Sequence, residues 1–228
     1  MKTSLKISIA KIIFKMIFFF GFKKKFIVSR NLINWKLDIS EGIDLSIFLF
    51  GSFQQDLVHS INKYIFSFKK SKDGFFNIID IGSNIGDKSL SLANTLLNKN
   101  FSNFRIFSIE PTDYAFKKQI NNINLNPKLK KKIKSFKYFV SNKKIKPKYV
   151  YSSWSLDSVK ESHKIHKGIL KKVSQSTKTI SLDSFVKKNK IKGQIILKID
   201  VDGFEMDVLK SASHTLNILK PIIFMEYA

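Results

Sequence analysis

From Phe75 onward the chain switches repeatedly between two periodicities, and nothing else in it restricts the fold as much. Short apolar runs of strand length alternate with longer segments whose apolar residues recur at helical spacing. The pattern predicts strand Phe76–Ile81, helix Lys88–Leu97, strand Phe104–Ile109, helix Asp113–Leu125 and strand Ile133–Val140. A polar, lysine-rich excursion covers Asn142–Lys178. A short strand Thr179–Leu182 then leads to helix Asp183–Asn189, with Asp183 expected as its N-cap. Strand Gln194–Ile199, helix Glu205–Leu219 and strand Ile222–Met225 close the series. Alternation of this kind predicts an α/β fold, a mostly parallel sheet with helices on both faces. Ligands of such sheets bind at the carboxyl ends of the strands.

Two segments precede this core. Residues 26–73 read as a lead-in subdomain, with strands near Asn34–Leu37 and Ser46–Phe50. A helix is expected over Gln54–Phe68, where Leu57, Ile61, Ile65 and Phe68 recur at helical spacing. Residues 1–25 form a basic amphipathic segment: Leu5–Phe22 is apolar but interrupted by Lys6, Lys11 and Lys15, and Lys23, Lys24 and Lys25 follow. Its uncharged run Met16–Phe22 is far short of the ~20 residues that span a bilayer. Two readings stand, a helix lying in a membrane interface and a helix packed at the domain edge. A secretory signal fits poorly, because lysines break the apolar region and no small-residue cleavage site follows Phe22.

Composition narrows the function classes. With 228 residues, 43% of them hydrophobic, the chain can bury a substantial core and is not disordered. It has no cysteine, which excludes disulfides, thiolate metal sites and cysteine nucleophiles and points to a reducing, cytoplasmic setting. The net charge of +24 invites a nucleic-acid partner. However, the abundance of Lys, Ile, Asn and Phe is what an AT-rich genome imposes. Only Arg30 and Arg105 are arginine, whereas nucleic-acid sites favour the guanidinium. An anionic lipid or glycan surface is the preferred expectation.

The expected strand ends carry acids: Asp80, Glu110, Asp200 with Asp202, and Glu226. Carboxylates converging on one crevice repel one another unless something cationic or hydroxyl-rich lies among them. The turn D-I-G-S-N-I-G-D, Asp80–Asp87, separates two cofactor classes. A dinucleotide turn needs G-x-G-x-x-G to receive a pyrophosphate. Here Asn84 and Asp87 hold the later glycine positions, and an aspartate would repel phosphate. S-adenosyl-L-methionine, cationic at sulfur and free of phosphate, suits the turn. Glu110 lies about two dozen residues beyond it, near the ~20-residue spacing at which an acid takes ribose hydroxyls.

These stretches resemble a known family. DIGSNIGD, SIEPTDYAFKKQINNINLN at Ser108–Asn126, FVSNK at Phe139–Lys143, SLDSF at Ser181–Phe185, LKIDVDGFEMDVLKSA at Leu197–Ala212 and PIIFME at Pro221–Glu226 stand in the order and spacing of the FkbM methyltransferases. The resemblance implies a Rossmann-like class I methyltransferase domain over residues 74–228. It also implies O-methylation from S-adenosyl-L-methionine, with a sugar, glycan or glycolipid hydroxyl as acceptor. Carried over by position, Asp80, Gly82, Ser83, Asn84, Gly86 and Asp87 form the methionine-side turn, Glu110 takes the ribose, and Asn142 lies near the adenine. Asp200, Asp202 and Glu205 face the methyl group, with Asp200 as general base. Alternatively, Asp200 and Asp202 hold a divalent cation that acidifies the hydroxyl; no metal ligand is assigned. The basic, apolar N-terminus, and not the resemblance, gives the expected location, the cytoplasmic face of a membrane with the N-terminus on its surface.

Members of the family continue past the strand ending at Glu226 with a helix and an antiparallel strand pair, whereas this chain stops at Ala228. The expected fold therefore lacks that pair and leaves strand Ile222–Met225 at a sheet edge, unless the lead-in strands cover it. Two alternatives follow: a non-catalytic cofactor-binding remnant or glycan-binding partner, and, from the charge, an RNA methyltransferase.

Overall fold

The computed structural model describes residues 3–69, 74–143, 146–157 and 168–225. The chain begins with helix α1 (Thr3–Phe19), then the antiparallel hairpin β1 (Lys25–Arg30) and β2 (Ile33–Asp38), then helices α2 (Gly42–Phe50) and α3 (Gln55–Lys69). The strand expected at Ser46–Phe50 is instead the second half of α2. Its run is almost wholly apolar, so periodicity could not tell strand from helix. The deciding signal is Gly51, which adopts φ 79° and donates its N–H to the Ile47 carbonyl, a glycine C-cap.

Phe76–Ile81, Phe104–Ile109 and Gln194–Ile199 become strands β3, β4 and β10 with the predicted boundaries. Between them in sequence lie α4 (Asp87–Asn98), α5 (Asp113–Asn124), a turn of helix α6 (Pro127–Lys130), and strands β5 (Ile133–Phe136), β6 (Tyr138–Val140), β7 (Tyr149–Tyr151), β8 (Leu170–Lys172) and β9 (Lys178–Ile180). Helix α7 (Leu182–Lys188) leads into β10, and α8 (Glu205–Lys210) and β11 (Ile222–Met225) follow it. The central sheet is parallel throughout, in the order β11-β10-β3-β4-β5. The chain winds outward from β3 through β4 to β5, then returns to place β10 on the other side of β3. That reversal makes the carboxyl ends of β3 and β10 the switch point at which doubly wound sheets bind ligands.

Period-2 alternation divides the core in two. Phe76, Ile78, Phe104, Ile106 and Ile196 face α3 and α4, and share one apolar cluster with Trp35, Ile43 and Ile47 of the lead-in residues. Ile79, Ile81, Phe107, Ile109, Leu197 and Ile199 face the other way, against Leu182, Phe185 and Val208. Hairpin β1–β2 lies along α5: the Lys36 and Asn34 amides donate to the side-chain oxygens of Asn122 and Asn126. Among the described residues, β11 forms the sheet edge, with Ile222, Ile223 and Met225 partly exposed.

Four other expectations change. The strand foreseen over Ile133–Val140 breaks at Lys137, and β6 leaves the main sheet to pair with β9. The lysine-rich excursion is not featureless: β7 and β8 form an antiparallel hairpin. Helix Glu205–Leu219 ends at Lys210 and resumes as a π-helical turn, Thr215–Leu219. Asp183 does not cap its own helix, a role Ser181 takes. Its carboxylate accepts the His214 and Thr215 amides and the Thr215 hydroxyl. His163, His166 and Glu226 lie outside the described residues.

Candidate active site

The carboxyl ends of β3, β4 and β10 open into a cavity of about 320 Å³, at the lower end of the ~300–1,000 Å³ typical of small-molecule sites. Its floor is Ile81, Gly82 and Asn84 after β3, Glu110 after β4, and Lys198, Asp200 and Asp202 at β10. Its outer wall comes from β6, from Val150–Trp154 around β7, and from Ile43, Phe53 and Lys6 of the N-terminal part.

The turn after β3 is shaped by its neighbours. Gly82 has φ +77°, and a Cβ there would lie 1.8 Å from the Asp200 carbonyl oxygen. Only a glycine lets β3 and β10 approach so closely at the switch point. Its close contact is therefore with the β10 backbone. Asn84, at φ 48°, donates its amide to Glu110 Oε2 at 3.0 Å. Glu110 Oε1 accepts both the Thr112 amide (3.0 Å) and the Thr112 hydroxyl (2.6 Å). Glu110 thus ties the two turns together while its carboxylate lines the cavity. Burial pushes its carboxyl above the ordinary glutamate value, against the pull of the Thr112 and Asn84 donors.

From this floor, where Lys198 lines the cavity, a polar row that sequence reasoning missed runs into the interior. Lys198, Asp80 and Ser108 stand in register on β10, β3 and β4, each at the next-to-last position of its strand and on the α4 side. Lys198 Nζ lies 3.1 Å from Asp80 Oδ1, 3.3 Å from Asp200 Oδ2 and 2.8 Å from the Gly82 carbonyl. The Ser89 hydroxyl donates to Asp80 at 2.7 Å and contacts the Ser108 hydroxyl at 2.8 Å. Gln119 Nε2 donates to Ser108 and, at 2.9 Å, to Ser83. Burial alone would lower the Lys198 pKa, but Asp80, Asp200 and Asp87 together hold it above the ordinary lysine value. A signal did exist, since each of the three apolar runs carries a polar residue at its next-to-last position.

This geometry redistributes the predicted residues. Gly82, Asn84, Asp87, Glu110, Asp200 and Asp202 line the cavity together. Asp80 does not: it sits inside β3, fully buried, as counter-ion to Lys198. Ser83 and Gly86 face Gln119. Asn142 is exposed and is not among the residues that line the cavity. Glu205 is not among the residues that line the cavity; both its carboxylate oxygens accept the Gly203 amide at 3.1 Å, which closes the turn into α8. Asp87 occupies the first turn of α4 and bonds Lys88 at 2.6 Å. Among the described residues no group of three or more His, Cys, Asp or Glu is placed to hold a metal ion.

A family model for the FkbM methyltransferase domain matches residues 80–228. The chain belongs to the FkbM methyltransferase family. Its fold is the Rossmann-like fold expected of that family, and the parallel sheet above is its core. Among solved structures, the chain is similar to an FkbM methyltransferase from Methylobacillus flagellatus KT, at 18% identity over 66% of this chain and 33% of that one, TM-score 0.38. It is also similar to a protein described as a transferase from Pyrococcus horikoshii, at 23% identity over 51% of this chain and 37% of that one, TM-score 0.32. The chain therefore spans about a third of the length of these two structures. No curated protein matches it.

Proposed function

We propose that this FkbM methyltransferase transfers a methyl group from S-adenosyl-L-methionine to a hydroxyl of a sugar, glycan or glycolipid. The observation that supports this most is the placement of Glu110 and Asp200 in one cavity at the switch point. The lining suits a cofactor without phosphate: the carboxylates of Asp87, Glu110, Asp200 and Asp202 outnumber the ammonium groups of Lys6, Lys88 and Lys198, and Asp87 stands in the first turn of α4, where a pyrophosphate would have to dock. Bound there, the cofactor would supply a methyl group activated by its sulfonium.

The chain's own residues would do the rest. Glu110, fixed by Asn84 and Thr112, would accept hydrogen bonds from the ribose hydroxyls. The Gly82–Asn84 backbone would face the amino-acid portion. Asp200 borders the cavity with its side chain 28% exposed, so it is accessible to an acceptor hydroxyl and would take its proton as general base. Lys198, 3.3 Å away, fixes the direction of that carboxylate. The aromatic and hydroxyl-bearing stretch Tyr151–Trp154 on the outer wall would meet the acceptor.

Calorimetry with S-adenosylhomocysteine, followed by transfer of labelled methyl to glycan and glycolipid acceptors, tests the proposal. Saturable heat from the wild-type protein is expected, and its absence would rule the cofactor out. Cofactor binding with no methylation of any such acceptor would rule out the acceptor class.

A further inference from the structure

Helix α1 presents two apolar faces, and the described residues cover only one. Phe14, with Ala10 and Ile17, packs against Ile39, Leu45 and Leu156. On the other side Leu5, Ile9, Ile12, Met16 and Phe19 are 41–85% exposed. At 3.6 residues per turn these five fall within an arc of roughly 80°, so they form one continuous stripe. Phe20, Phe22 and Ile27 extend it past the helix end around a shallow depression, and each is more than half exposed.

What could cover such a stripe is settled by the charges around it. Lys6 borders it on one side and Lys15 on the other, with Lys11 beyond, and Lys23–Lys25 cluster at its C-terminal end. The chain has no acidic residue before Asp38. A protein partner's interface core is depleted in lysine, whereas a helix lying in a lipid surface uses lysines at the edges of its apolar face. No described helix is long and apolar enough to cross a membrane, so a surface position is the geometry that remains for α1 in a bilayer.

We propose that α1 and the Phe19–Phe22 turn dock flat into the surface of a membrane containing anionic lipid. Lys6 also lines the cavity, so docking brings the cavity mouth to the lipid surface, within reach of a glycolipid hydroxyl. That consequence rests on the methyl-transfer reading; the docking itself does not.

The test is co-sedimentation of the whole chain with vesicles of phosphatidylcholine alone and of phosphatidylcholine with phosphatidylglycerol. Wild type should sediment with the anionic vesicles and weakly with the neutral ones. I9N/I12N/M16N should lose most of this binding. K11E/K15E should bind at least about tenfold more weakly, a difference that added salt narrows. As an arm that tolerates a poorly folding triple variant, the emission of I9W should shift to the blue on adding anionic vesicles. Docking is overturned if wild type ignores anionic vesicles and I9W emission does not move, or if all variants sediment alike. It is equally overturned if the stripe proves buried in a dimer in lipid-free solution that the triple variant turns into monomer. Calorimetry with S-adenosylhomocysteine on the same samples separates the two proposals: vesicle binding without cofactor binding sinks only the methyl-transfer reading, and the reverse sinks only the docking.

Discussion

Lys198 Nζ lies 3.1 Å from Asp80 Oδ1, and both side chains are almost completely buried on neighbouring strands, Lys198 at the cavity floor and Asp80 behind it. Taking either charge out of water is costly, and each is tolerated because the other is there. Replacing Lys198 by Met strands the Asp80 charge and should cost about 3–5 kcal/mol, the usual penalty for breaking a buried pair. Urea unfolding checks the size. The double variant Lys198→Met with Asp80→Asn should recover a large part of it, because the fully buried charge is then gone and Asp200, which also loses Lys198, is partly exposed to water. A single-variant cost no larger than that of an exposed lysine would contradict the pairing.

This pair also shows where sequence reading stopped. The alternation from Phe75 onward gave the strand order its raw material, and β3, β4 and β10 emerged with their expected ends because apolar runs bounded by polar turns are unambiguous there. Asp80 was legible as an acid near a strand end, but which way it pointed was not. Its direction depends on register, and register depends on β10 lying beside β3, across more than a hundred residues of chain. Likewise Tyr151 and Trp154 reach the cavity only because β7 and β8 pair, and the lysines around them concealed that hairpin. Ser46–Phe50 failed for a different reason: an unbroken apolar run carries no period.

Gly82 should tolerate no side chain. Gly82→Ala places a methyl group against the Asp200 carbonyl oxygen and forces an alanine to φ +77°. The backbone conformation alone costs ~1–2 kcal/mol, and the overlap must be relieved by moving β10. A fall in thermal midpoint together with loss of S-adenosylhomocysteine binding is expected. Gly203→Ala serves as the control, since its Cβ would meet nothing within 4 Å although its φ is also positive. It should show only the conformational cost.

Asp44 should make the fold more stable in mild acid, the opposite of ordinary acid denaturation. Burial pushes its carboxyl up to about 6, with Lys118 at 2.5 Å pulling it back. Unfolded, it titrates at its ordinary value of 3.8. Between the two values the folded state binds the extra proton, so this contribution is fully present below about pH 4. It is lost as pH rises through about 6, a change of about 3 kcal/mol. Comparing unfolding of wild type and Asp44→Asn from pH 4 to 7 isolates it. Carboxyl NMR should place the Asp44 midpoint near 6, and Lys118→Met should move it higher. A midpoint near 4 would remove the basis for the claim.

Glu110→Gln tests the cofactor wall. The substitution keeps the shape but replaces a charged acceptor with a neutral amide whose nitrogen cannot accept from the Asn84 or Thr112 donors. Hydrogen bonds to charged groups are worth about 1.5–3 kcal/mol, so S-adenosylhomocysteine affinity should fall roughly 10- to 150-fold. Unchanged affinity would take Glu110 out of the pocket's recognition role, whatever the fold of the variant.

Asp200→Asn separates chemistry from binding. Asp200 touches the cavity but also contacts Lys198, so a loss of activity alone would be ambiguous between catalysis and positioning. A general base contributes typically 10²–10⁴-fold. Methyl transfer should therefore drop by about that factor, while S-adenosylhomocysteine affinity stays within about threefold, less than 1 kcal/mol. If affinity and turnover fall together, Asp200 acts through the Lys198 pairing and the shape of the floor. Adding a chelator to wild type distinguishes the remaining chemistry. Turnover that survives chelation leaves the carboxylate as the proton acceptor, and turnover abolished by chelation and restored by Mg²⁺ would instead make Asp200 and Asp202 holders of a cation that acidifies the acceptor hydroxyl.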